Sequence, residues 1–319
     1  MVLFLYNLTD KIAKQKYIKL IPKIRNAMQL SSYHHLYNRS IFNLSRYIFR
    51  LSHHSPVVAV HLKITHSKMS FTNKIVIVTG ASSGIGAATA IAFAKEGANV
   101  VIVGRNEVKL QKVTDECAAT GKEHILIKAD ITKDEDANRV INETIEKFGQ
   151  IDVLVNNAGM MNFAHILSDN IMSVYDTVMN INVRAQVQMT HLAAPHLIKT
   201  KGNIINISSI AGKMTLTNPL LCYATSKAAI DHFTRSVALE LAPHGVRVNS
   251  ISPGPVRTDL LSNAGVDKTM DDIGYKIPLG RISDSEEIAD LILFVASDKA
   301  KAITGSDFVT DNGILINSK

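Results

Sequence analysis

The chain has no tryptophan, only two cysteines and only eight prolines in 319 residues. Cys117 and Cys222 lie far apart and form neither a CxxC pair nor a Cys/His ligand spacing, which argues against a disulfide framework and a zinc site. Sparse thiols suit a reducing compartment. No apolar run approaches the roughly 18 to 20 residues of a membrane-spanning helix, so no integral membrane segment is expected. Six of the twelve histidines fall in the first 68 residues, and His191 and His196, five apart, do not share a helical face. A metal centre is therefore not expected. Acidic residues are also scarce at the start: residues 1–68 hold 11 Lys/Arg against the single acid Asp10. The formal charge of +7 resides there, because residues 69–319 carry 24 basic and 27 acidic side chains. That balance gives no support to a basic nucleic-acid-binding face on the body.

What is present is the composition of a folded protein, 46% apolar and 20% charged, which excludes a wholly disordered chain. Residues 1–68 show no sustained strand or helix period and are read as a basic N-terminal extension, with 69–319 as one domain. Three readings of the extension stay open. Met69 stands just before the first strand and fits a working start, which implies a cytoplasmic protein. An acid-poor, Ser-containing basic segment also suits a mitochondrial presequence, and a functional basic tail is the third reading.

From Lys74 onward short β-branched runs alternate with longer helical patterns. Strands are predicted at 75–79, 99–103, 124–129, 151–155, 203–207, 247–251 and 307–309, with helices between them, including 84–96 and 223–242. Such alternation implies an α/β fold: a doubly wound, seven-stranded parallel sheet with helices on both faces in a single domain. In the 223–242 segment Ile230, Phe233, Val237 and Leu241 recur at spacings of three and four and predict a buried stripe, ended by Pro243 and Gly245.

Gly80-Ala81-Ser82-Ser83-Gly84-Ile85-Gly86 follows the first strand directly and opens a helix. Glycines at such a turn permit close backbone approach to a pyrophosphate, and the helix N-terminus favours the anion. Strand, glycines and helix in that order indicate a Rossmann-type dinucleotide site. With Thr79 the stretch reads TGxxxGIG, and there the chain resembles the short-chain dehydrogenase/reductase family, in particular its 3-oxoacyl-(acyl-carrier-protein) reductase-like members. The resemblance covers 74–319 and continues through Asn156-Asn157-Ala158-Gly159, Tyr223-x-x-x-Lys227, Pro253-Gly254 and Ile303-Thr304-Gly305. One departure is Asp311-Asn312-Gly313, where the family usually has Asp-Gly-Gly.

The resemblance implies that Gly80, Ser82, Ser83, Gly84, Ile85 and Gly86 cradle the dinucleotide. It also places Asp130 and Ile131 against the adenine and Asn157 beside its ribose. Pro253 and Gly254 lead to Val256 and Thr258 at the nicotinamide, while Tyr223 and Lys227 also touch the cofactor. After the second strand, where an acid would bind the ribose of NAD, the chain has Gly104-Arg105. A cation there favours NADP, with NAD as the alternative cofactor and a solvated loop arginine as the plainer reading.

Tyr223 and Lys227 are four apart in a helical segment and share a face. An ammonium near a phenol stabilises the phenolate and brings the tyrosine toward the working pH of a general acid/base. The resemblance completes a catalytic set with Ser209, over its neighbour Ser208, and Asn182, over Asn180. The implied activity is interconversion of a carbonyl and a secondary alcohol by an NADP(H)-dependent oxidoreductase; a silent dinucleotide-binding scaffold is the reading from another class. The stretch 259–278 is read as a substrate lid, and the substrate as a moderately apolar ketone or alcohol, with a 3-oxoacyl thioester, a steroid and a retinoid all open and no cluster of positive charge awaiting an acid. A homotetramer is implied, with Ala224, Ala228 and Ala229 forming a small contact face.

Overall fold

The computed structural model describes residues 69–215, 219–274 and 276–317. The basic extension, with the readings attached to it, lies outside the described residues.

Seven strands and nine helices alternate in the described residues. In chain order they are β1 (Ile75–Thr79), α1 (Gly84–Lys95), β2 (Asn99–Gly104), α2 (Glu107–Ala118), β3 (His124–Lys128), α3 (Asp134–Phe148) and β4 (Val153–Asn156). Next come α4 (Ile171–Met179), α5 (Ala185–Thr200), β5 (Asn203–Ile207), α6 (Leu221–Leu241) and β6 (Arg247–Pro253). The short α7 (Leu260–Asn263), α8 (Ser285–Ala296), β7 (Asp307–Thr310) and the terminal turn α9 (Ile314–Asn317) complete the order. All strands pair in parallel in the order β3-β2-β1-β4-β5-β6-β7. The predicted α/β fold is the observed one, with β4 starting two residues later than the pattern implied.

A parallel sheet is covered on both faces, so its strands read as continuous apolar runs. All five residues of β1 are buried. Alternate side chains serve opposite layers: Val76 and Val78 pack with Phe93 of α1, Leu110 of α2 and Ile292 of α8, whereas Ile75 and Ile77 pack with Val140 of α3, Met189 of α5 and Leu241 of α6. The predicted stripe on α6 is only half right. Ile230 and Leu241 are buried, but Phe233 and Val237 are half-buried, and Lys227, Asp231, Thr234 and Ala238 take the inner face. The displacement has a physical cause: the inner face carries polar groups that are bonded inside the fold, which an apolar count cannot see. Asn156 donates to Thr190 Oγ1 at 3.0 Å and to Asn206 Oδ1 at 2.9 Å, and Asn206 donates to Thr234 Oγ1 at 2.9 Å. This ladder ties α5 and α6 to the centre of the sheet.

Strand order reverses between β1 and β4, and in such sheets the crevice beyond the carboxyl ends at the reversal is where ligands bind. Phe93 fixes α1, whose amino end borders that crevice; it is fully buried, edge-on to Phe71 at 4.8 Å. Phe93→Ala should lower unfolding stability by about 3 to 5 kcal/mol, measured by urea denaturation; a loss under about 1 kcal/mol would show that the α1 layer is not a rigid support.

Candidate active site

The crevice is a cavity of about 550 Å³ walled by the ends of β1, β2, β4, β5 and β6 and by α6. At its base Gly80 adopts φ +66°, and a Cβ there would lie 2.8 Å from Ala158 Cα. At Gly86 a Cβ would lie 2.3 Å from the Gly80 carbonyl oxygen and 2.4 Å from Asn157 Nδ2. Any side chain would push the turn off β4, so both positions require glycine. The Asn157 amide donates to the carbonyls of Thr79 at 2.9 Å and Gly80 at 3.2 Å, while the Thr79 hydroxyl accepts from Asn157 N and Ala158 N. Asn157, expected beside a ribose, lines the cavity but engages its amide nitrogen in holding the glycine turn. Ser83 begins α1 without a side-chain cap and no acid occupies the first turn, so the helix presents open N–H groups at the cavity.

At one end of the cavity stand Arg105, Asp130 and Ile131. The Asp130 carboxylate accepts from Thr132 Oγ1 at 2.8 Å and fixes that turn. Sequence reasoning missed Lys109, which lines the same end and bridges Asp259, 150 residues away, at 2.5 Å. Its ammonium holds the Asp259 carboxyl below the usual carboxylate range, with help from the Ser83 hydroxyl. The signal was available: Lys109 lies one turn beyond Arg105, but its partner could not be read locally.

At the other end are Ser209, Tyr223 and Lys227, with Gly254, Val256 and Thr258 opposite. Lys227 is almost fully buried; its Nζ donates to the Ile207 carbonyl at 2.9 Å and lies 5.6 Å from the centre of the Tyr223 ring. Burial pushes the ammonium down to about 8, offset in part by the Asp231 carboxylate one turn further along α6. Gly159 lies close by: a Cβ there would stand 3.2 Å from Asn182 Oδ1, tighter than ordinary contact, and 3.6 Å from Nζ, an ordinary contact distance. Ser208 and Ser209 both line the cavity, but the Ser208 hydroxyl donates to the Lys227 carbonyl, at 3.2 Å. Ser209 accepts from Ala211 N at 3.1 Å and makes only a long contact, 3.5 Å, to the Pro253 carbonyl. Asn182 sits in a one-turn π-helical segment, Asn180–Arg184, between α4 and α5. It is fully buried, accepts from Met160 N at 2.8 Å and donates to Met160 O and Ser226 Oγ. Asn180 is half-buried.

The glycine cradle, the open helix end and the paired Tyr and Lys fit a nicotinamide dinucleotide laid across the carboxyl ends of the strands. A family model described as enoyl-(acyl carrier protein) reductase matches residues 80–315. The chain is 34% identical over 250 residues to a 3-oxoacyl-(acyl-carrier-protein) reductase of Thermotoga maritima, covering 78% of this chain and 100% of that one. It is similar at 36% identity to an A-factor type gamma-butyrolactone 1'-reductase of Streptomyces virginiae, over 77% and 96% of the two chains. A solved short-chain dehydrogenase/reductase from Caenorhabditis elegans, with cofactor, superimposes with a TM-score of 0.73 at 38% identity, over 77% of this chain and 96% of that one. The chain belongs to the short-chain dehydrogenase/reductase family. It is an NAD(P)-binding oxidoreductase with a Rossmann-type fold.

In this short-chain dehydrogenase/reductase the Tyr223 end of the cavity is backed by a packed apolar cluster in which Tyr223 joins Met161, Leu220, Leu261, Met270 and Ile282. Among the described residues no helix is long and apolar enough to cross a membrane, and no cluster of His, Cys, Asp and Glu could hold a metal.

The buried lysine makes stability depend on pH in a defined direction. Between about 8 and its ordinary 10.5 the unfolded chain holds a proton that the folded chain has lost, so the burial penalty is full below about pH 8 and fades as pH rises. Relative to Lys227→Met, the wild-type protein should therefore gain up to about 3 kcal/mol from about pH 7 to about pH 10, measured by paired denaturation curves. A difference that stays flat would show the ammonium is not desolvated.

Proposed function

We propose that the chain interconverts a carbonyl and a secondary alcohol with NADP(H), Tyr223 acting as general acid/base. The observation that carries this reading is the buried Lys227 ammonium beside the Tyr223 ring in a cavity based on the glycine cradle. When bound, the nicotinamide supplies or accepts hydride at the substrate carbon. Every other task falls to the chain. Tyr223 gives a proton to the carbonyl oxygen in reduction and takes it back in oxidation. Lys227 stabilises the phenolate and grips the ribose, Ser209 orients the substrate oxygen, and Asn182 holds the π-helical turn against the Met160 backbone and Ser226. Gly80, Ser82, Ser83, Gly84, Ile85 and Gly86 receive the pyrophosphate, and Val256 and Thr258 the carboxamide.

NADP is favoured over NAD because Arg105 and Lys109 both border the adenosine end, the second cation adding to what Arg105 alone implied. A silent scaffold would need no buried ammonium. Exposed Ala228, with half-buried Ala224 and Ala229, leaves the small face of α6 available to a second copy, so a homotetramer remains the proposed assembly.

Tyr223→Phe should lower kcat by at least about 10² to 10⁴ in NADPH oxidation with a panel of ketones and quinones while leaving NADPH binding nearly intact; retained turnover would remove the tyrosine from the chemistry. Arg105→Asp should weaken NADPH binding by about tenfold or more in a fluorescence titration and spare NADH. Equal loss for both cofactors would overturn the NADP preference.

A further inference from the structure

From Lys227 outward four charges alternate in sign through the fold: Lys227 and Asp231 on α6, Lys213 just after the Ile210–Gly212 turn, and Asp307 at the start of β7. Lys213 Nζ lies 2.5 Å from Asp231 Oδ2 and 3.0 Å from Asp307 Oδ2. Asp307 is held in turn by β6, its Oδ1 accepting from Ser250 Oγ at 2.8 Å and Ser252 Oγ at 2.6 Å. The turn that leads to Lys213 begins after Ser209 and packs tightly on α6, where a Cβ at Gly212 would lie 2.7 Å from Ala228 N. Lys213 is thus placed by β6 and β7 on one side and by α6 on the other.

Asp231 stands one turn from Lys227, the spacing at which a carboxylate and an ammonium on one helix pair directly. They do not pair. Lys227 Nζ donates to the Ile207 carbonyl, while Asp231 gives Oδ2 to Lys213 and keeps Oδ1 buried with no hydrogen-bond partner among the described residues. Asp231 is 7% exposed, so its charge is poorly screened and Lys213 is the group that holds it. Other charged groups on the neighbouring elements are engaged elsewhere. Arg235, further along α6, is exposed and contacts His232; Arg184 of the π-helical turn pairs with Asp134; and Arg247, at the far end of β6, bonds the Val295 carbonyl. Tyr175 and Asp176 of α4 are exposed, Cys222 packs with Val174 and Val178, and β5 carries no ionisable side chain.

Resting on the oxidoreductase reading, we propose that Lys213 is a positioning residue for the reaction: it holds the Asp231 carboxylate away from Lys227, so that the ammonium stays with the Ile207 carbonyl and the Tyr223 ring. Without Lys213 the buried carboxylate is left unpaired, and the cation one turn away on its own helix becomes its partner. Lys227 is then drawn along α6, away from the phenol it serves. Asp307 and the two serines of β6 act toward the same end by fixing Lys213.

The test reads Lys227 directly in the full-length protein, labelled with lysine carrying carbon-13 at Cε; the NMR resonance absent from Lys227→Met is that of Lys227. In Lys213→Met its titration should move to higher pH by about one unit, because Asp231 becomes its partner, and in Asp231→Asn to lower pH by about half a unit. Lys213→Met should also lower kcat for NADPH-dependent ketone reduction by about tenfold or more. Adding Asp231→Asn to it should bring kcat back to within about threefold of Asp231→Asn alone, since no carboxylate is left to capture the ammonium. A residue that only braces the fold gives a double variant no more active than Lys213→Met, and a Lys227 titration that does not rise; either result would overturn the inference. If Lys213→Met does not fold, Lys213→Gln, which keeps a donor for Asp231, is judged by the same criteria. Absence of turnover with every ketone would instead sink the oxidoreductase reading, with the carbon-13 titration still deciding the role of Lys213.

Discussion

A charged amine held almost out of water beside a phenol is the constraint on which the site depends. Desolvation of Lys227 is costly, and the fold compensates with the Ile207 carbonyl at 2.9 Å and the Asp231 carboxylate one turn on. One compensating group lies on β5 and the other on α6, so these two elements must be in register for the ammonium to be tolerated. The polar ladder from Thr190 through Asn156 and Asn206 to Thr234 supplies that register from inside the sheet. What looks like a fault in the packing of α6, a polar inner face, is the means by which the fold presents Tyr223 and Lys227 to one end of the cavity.

The other end is built by exclusion of side chains. Gly80 and Gly86 bring the first turn against the β4 loop, and Thr79 and Asn157 lock it there. Helix α2 and the segment after β6 meet through Lys109 and Asp259, although they are far apart in sequence. The cleft is therefore a shared product of both halves of the sheet, as expected where strand order reverses.

The fold was legible because two-sided burial leaves uninterrupted apolar runs such as 75–78 and 100–103, and because the glycine turn and the Tyr-x-x-x-Lys spacing are local. The preference of Ser209 over Ser208 and of Asn182 over Asn180 rested on family register. In the structure the Ser208 hydroxyl bonds the Lys227 carbonyl and Asn182 bonds the Met160 backbone. Long-range and mixed-polarity features were not legible. Lys109 finds its partner across the cleft, the π-helical turn at Asn180–Arg184 has no propensity signature, and the inner face of α6 is set by hydrogen bonds that apolar periodicity does not report.

The most direct measurement is the ionisation of Tyr223 itself, followed by ultraviolet difference absorbance of tyrosinate between the wild-type protein and Tyr223→Phe, and repeated on a Lys227→Met background. A phenol tuned by its neighbour titrates below the ordinary tyrosine value near ~10 when Lys227 is present and moves back toward or above it when Lys227 is replaced. A titration of Tyr223 that is the same in both backgrounds would contradict the electrostatic pairing at the centre of this site.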